Sequence, residues 1–104
     1  MPHRLDPKHP ENMDILIEAI LSLESEEECR AFLQDLCTMQ ELISFSQRLQ
    51  VARLLLAGET YESIRRQIPI SSTTITRINT ALHFGAGGYH KVLPRLSRKE
   101  ENGK

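Results

Sequence analysis

The sequence predicts an all-α fold of about six helices in a single domain spanning residues 1–104, and three of its features point there. Apolar residues recur at spacings of three and four over long stretches, the period of a helix rather than a strand. A hydroxyl residue stands three places ahead of a glutamate at Ser25/Glu28 and at Thr38/Glu41, the spacing of an N-terminal capping box. Gly and Pro number five each, and no hairpin dipeptide such as Asn-Gly sits between alternating runs.

Residues 1–10 hold three prolines and read as an extended arm, with Pro10 suited to open a helix because its missing N–H is not needed there. The first helix then runs from about Glu11 to Leu23. Glu11, Asp14, Glu18 and Ser22 form one narrow polar stripe, and Met13, Ile15, Leu16, Ile17, Ala19, Ile20, Leu21 and Leu23 cover the rest. Such a helix wants burial on several sides. Ser25 caps the second helix, with Glu26 and Glu27 at the positive end of its dipole and Ala31, Phe32, Leu33 and Leu36 on its apolar face. Thr38 opens a long third helix, Met39 to Ala57, stopped by Gly58. Phe45, Leu49, Ala52 and Leu56 line one stripe of it; Val51, Leu54 and Leu55 widen that stripe. The apolar residues of 11–57 outnumber the faces that one small core offers, so these are read as dimerisation helices shared between two copies of the chain.

After Gly58 the pattern changes, and residues 58–82 read as a helix-turn-helix. Thr60 caps a short helix, Tyr61 to Ile68, and Pro69 ends it. Ser71 or Ser72 caps the next, about Thr73 to Leu82. The run Ser-Ser-Thr-Thr-Ile-Thr is rich in β-branched residues and locally favours a strand. Spacing decides for a helix: Ile75, Ile78 and Leu82 fit a 3.6 period, whereas a strand would bury Arg77 with Ile75. Residues 83–96 read as a C-terminal turn, with Gly85, Gly87 and Gly88, and a last helix from Tyr89 to Leu96; residues 97–104 read as a charged, frayed tail.

Composition narrows the function. Apolar residues at 39% and charged residues at 26% suit a soluble globular chain. No apolar run approaches the roughly 18–20 residues of a membrane span, and the polar, Pro-rich start is no signal peptide, so a cytoplasmic protein is expected. Cys29 and Cys37 are then free thiols of a reducing compartment. The net charge of −1 conceals a division. Residues 1–57 hold 5 basic and 10 acidic side chains, and residues 58–104 hold 8 and 4. A basic half joined to an acidic half suggests that only the C-terminal part meets a polyanion.

That part carries the chemistry. With Ile64, Ile68, Ile75 and Leu82 locking the helix pair, Ser72, Thr73, Thr76, Asn79 and Thr80 point outward. Short hydroxyl and amide side chains let a helix approach base edges closely in the major groove. Arg65, Arg66 and Arg77, with Ser71 at the helix start, can hold phosphates. Thr-rich helices are poor formers, and a merely solvated face more often carries Glu, Lys or Ala.

The stretch Thr38–Leu82 resembles the tryptophan repressor superfamily, in particular its YerC/YecD-like, Trp-repressor-related branch. The resemblance is carried by Thr38, Arg48, the Leu-Leu-Leu-Ala-Gly-Glu run ending at Glu59, and Thr74-Ile75-Thr76-Arg77. Leu82-His83-Phe84-Gly85, Gly88-Tyr89 and Val92-Leu93 look like the related branch. The resemblance implies an intertwined homodimer presenting two helix-turn-helix heads about one DNA turn apart, hence a palindromic operator on double-stranded DNA. It also implies an effector pocket at Thr38, Arg48, Thr74 and Arg77, where two arginines would sandwich an indole. Two departures argue against L-tryptophan as effector. Ile78 stands where the repressor has glycine and fills the space for the ring, and Ala81 replaces the serine that helps bind the amino group. An arginine that the repressor uses in the first helix of the motif falls at Ser63, and Arg65 stands where the repressor has lysine, so the operator sequence does not carry over.

Enzyme and metal readings fail on inventory. His3, His9, His83 and His90 are dispersed, Cys29 and Cys37 lie eight apart, and the Gly-rich run at 85–88 follows a helix rather than a strand. Tyr61 and Tyr89 are read as packing residues with wet hydroxyls. The expectation is a non-enzymatic, sequence-specific transcriptional regulator with no cofactor, working either without an effector or with a small molecule other than L-tryptophan, and partnered by DNA and by itself. The rival is a helical protein-interaction module whose helix-turn-helix no longer binds DNA.

Overall fold

The computed structural model describes residues 10–102, with side-chain surroundings for residues 12–96. The arm expected over residues 1–9 lies outside the described residues. Six α-helices follow a short 3₁₀ turn, Pro10–Met13: α1 Asp14–Leu21, α2 Glu26–Leu36, α3 Met39–Leu56, α4 Tyr61–Gln67, α5 Ser72–Phe84 and α6 Gly88–Asn102. Among the described residues there is no strand. The chain divides into two compact units between Met39 and Gln40.

The first unit holds α1 and α2. Pro10 does open helical structure, but as a 3₁₀ turn, so α1 starts at Asp14 rather than at Glu11. It ends where the Ser22 hydroxyl donates to the Ala19 carbonyl at 2.7 Å. At α2 the Ser25 hydroxyl accepts from the Glu28 N–H at 3.1 Å. The Glu28 carboxylate reaches back to the N–H of Glu24 at 3.0 Å, one residue further than in the usual reciprocal box. Neither helix has a buried residue, and Ile15 and Leu21 are 74% and 79% exposed.

The second unit holds the core. Val51 and Ala52 of α3, Ile64 of α4, Ile68 beside it, Ile75, Ile78 and Leu82 of α5, and Leu93 of α6 form one buried aliphatic cluster. Leu54, Leu55, Tyr61, Ile70 and Tyr89 pack against its edge. Each enclosed Ile or Leu contributes roughly 1.5–3 kcal/mol by leaving water. Of the α3 stripe and the residues that widen it, Ala52 and Val51 are buried and Leu54 and Leu55 pack at the core's edge, while Phe45, Leu49 and Leu56 are exposed in the single chain. α3 is apolar on several sides, and its buried residues are Val51 and Ala52.

The turns follow from backbone chemistry. Gly58 has φ +90°, a left-handed conformation in which a side chain is strained. Its N–H donates to the Leu55 carbonyl and that of Glu59 to the Leu54 carbonyl, both at 3.0 Å, which closes α3 in a Schellman motif. Thr60 caps α4 by accepting from the Ser63 N–H at 3.1 Å. Ser71, not Ser72, caps α5, so Ser72 is its first helical residue. α6 runs to Asn102, past Leu96 and through the stretch where a frayed tail was expected.

Candidate nucleic-acid interface

The face that α5 turns away from the core is built by its period. Ile75, Ile78 and Leu82 occupy the inner stripe, so Thr73, Thr76, Arg77 and Thr80, at offsets of three and four, lie opposite. All four are exposed, as are Ser71 and Ser72 at the helix start. Asn79 is half-buried at the margin of the stripe, and its carbonyl meets His83 Nδ1 at 2.8 Å. The Ser71 hydroxyl accepts from the Thr74 N–H at 3.2 Å and lies 3.0 Å from the Thr74 hydroxyl. These two predicted residues therefore meet, and they fix the first turn of the helix.

α4 supplies the positive charge. Arg65 and Arg66 are both exposed. Arg66 pairs with Glu62 at 3.8 Å across one helical turn, a solvated ion pair that binds its partner weakly. A cross-helix contact joins α4 to α5, where the Thr76 hydroxyl donates to the Tyr61 hydroxyl at 3.4 Å. By sequence Tyr61 reads as a packing residue with a wet hydroxyl; its place directly after the Thr60 cap and one turn before Arg65 was the available signal for this contact. Another missed contact lies behind α5, where His90 Nε2 meets the Leu82 carbonyl at 2.7 Å.

The residues singled out as an effector pocket fall on three places. Thr38 is exposed immediately before α3; Arg48, on α3, has its guanidinium 5.8 Å from the centroid of its own helix neighbour Phe45; and Thr74 and Arg77 are on α5. Ile78 is 4% exposed and belongs to the core cluster. Among the described residues no group of three or more His, Cys, Asp or Glu is gathered as a metal site requires. No helix among them is long and apolar enough to cross a membrane.

Residues 11–97 match the family described as Trp repressor protein. The chain is 39% identical over 97 residues to YerC, an uncharacterized protein of Bacillus subtilis, with 93% of each chain covered. It is similar to the solved structure of a candidate Trp repressor from Staphylococcus aureus, at TM-score 0.79 and 42% identity over 86% of this chain and 89% of that one. A TrpR like protein from Eubacterium eligens superposes at TM-score 0.78 with 39% identity, covering 84% of this chain and 90% of that one. The six-helix order, the exposed hydroxyl-rich face of α5 and a match spanning most of the sequence agree, and the chain belongs to the Trp repressor family.

Proposed function

We propose that the protein is a sequence-specific DNA-binding transcriptional regulator, a repressor that acts in the cytoplasm as a homodimer on a palindromic operator. One observation carries the reading: Ser72, Thr73, Thr76, Arg77 and Thr80 form a solvent-facing surface on a helix whose other side is clamped by Ile75, Ile78 and Leu82. Small hydroxyl side chains on a rigid helix suit base edges and backbone in the major groove, and Arg65, Arg66 and Arg77 suit phosphates. Ser71, Asn79 and Thr74 support the surface from its edges. Dimerisation is supported by the apolar side chains that one chain leaves in water, among them Ile15, Ile17, Ile20 and Leu21 of α1 and Phe45 and Leu49 of α3.

The regulator works without L-tryptophan. Ile78 is committed to the core, Ala81 offers no hydroxyl, and Arg48 lies over Phe45. Calorimetric titration with L-tryptophan is expected to show no saturable heat, and micromolar saturation would overturn this part.

The test of the whole is to select duplexes from a random pool with the purified protein. A recovered palindrome with half-sites about one helical turn apart is the expected result. Binding through about six phosphate contacts loses on the order of 10³ in affinity between 50 and 200 mM salt. An acidic N-terminal half and the exposed apolar side chains favour a second reading, a protein-interaction module, and that reading stands if duplex is retained at neither salt.

A further inference from the structure

We infer that Tyr61 is a DNA-backbone contact: with Arg65 and Thr76 it forms a phosphate clamp that bridges the two helices of the head. The proposal rests on the DNA-binding reading and names a site within it. Three observations carry it. Tyr61 is half-buried, its ring packed against the core cluster, so its hydroxyl is held in place by the fold rather than swinging on the surface. That hydroxyl accepts from the Thr76 hydroxyl on the exposed face of α5 at 3.4 Å. Tyr61, Arg65 and Arg66 share one shallow hollow with Glu62, Pro69 and Ile70; the Glu62 carboxylate there pairs with Arg66 at 3.8 Å, which leaves Arg65 as the clamp's cation.

The donor count gives the direction. A phenol has one O–H to donate, and its oxygen accepts. Because the Tyr61 oxygen accepts from Thr76, its own proton is left for a second acceptor, which we place on the solvent side. An outward O–H beside an arginine one helical turn on is a donor pair matched to a phosphodiester oxygen, which accepts only. At 3.4 Å the hydroxyl pair is looser than the usual 2.7–2.8 Å or so, and a phosphate accepting from Tyr61 polarises the chain of hydrogen bonds and tightens it. Both helices of the head would then be drawn to a single phosphate, which fixes the angle at which α5 enters the groove.

Tyr61→Phe tests this, since it removes only the oxygen and keeps the packed ring. Thermal unfolding of the variant should match the wild type. On a short random-sequence duplex, and on the duplex selected from the pool, its affinity should fall about tenfold on both alike, because a phosphate contact carries no sequence information. Tyr61 has no charge and releases no counterion, so its salt dependence should run parallel to the wild type, whereas Arg65→Ala should flatten the slope by about one. Thr76→Val should cost less in the Tyr61→Phe background than in the wild type, because the part of its effect carried through the Tyr61 hydroxyl is already lost; equal costs in both backgrounds overturn the coupling. Unchanged affinity in Tyr61→Phe, or a loss confined to one sequence, overturns the clamp while leaving the DNA reading intact. A wild type that retains neither duplex overturns both.

Discussion

Ile75 is fully enclosed on the inner stripe of α5, so truncating it to alanine leaves a cavity that its aliphatic neighbours close only in part. Ile75→Ala should lose about 2–5 kcal/mol of stability, read from the urea midpoint at unchanged slope. Thr80→Ala, on the opposite side of the same helix, should shift that midpoint by less than about 0.5 kcal/mol and act on DNA affinity alone. Arg65→Ala separates two modes of contact. The clamp assigns the guanidinium to phosphate, so both duplexes should lose equally; a loss of about 1–3 kcal/mol on the selected duplex relative to random sequence would place it on a base edge and remove it from the clamp.

Each helix of the second unit owes its boundaries to one or two residues. Gly58 lies at φ +90° with open space around it, so Gly58→Ala meets backbone strain rather than a clash. A loss of about 1 kcal/mol in thermal or chemical unfolding is expected. Gly85 is the opposite case, since a Cβ there would sit 2.5 Å from the Ala81 carbonyl oxygen, and alanine must displace the last turn of α5. Caps of this kind were legible in the sequence, because Ser25, Gly58, Thr60 and Ser71 act through their own backbone neighbours. So was the inner stripe of α5, since Ile75, Ile78 and Leu82 share a single period. The side of α3 that turns inward was not. Apolar residues surround that helix, and which of them meets α4, α5 and α6 is decided by tertiary packing that no local pattern encodes. The Tyr61–Thr76 contact was hidden for the same reason, as the two residues are fifteen apart and on different helices.

For the molecule as a whole, the proposed homodimer gives a prediction that a folded monomer does not. Light scattering at micromolar concentration should report twice the 11.9 kDa of one chain, and a stable species at the single mass would overturn it. Leu21 is 79% exposed in the single chain, so Leu21→Glu is nearly neutral for a monomer. In the dimer it should lower the mass measured at the same concentration, because a carboxylate does not enter an apolar seam. The chain has no tryptophan and only two tyrosines, and both are half-buried with their rings against the core of the second unit. Its tyrosine emission therefore originates wholly in the second unit, with no indole to drain the excited state, and titrating duplex into unlabelled protein should give an optical record of the proposed head.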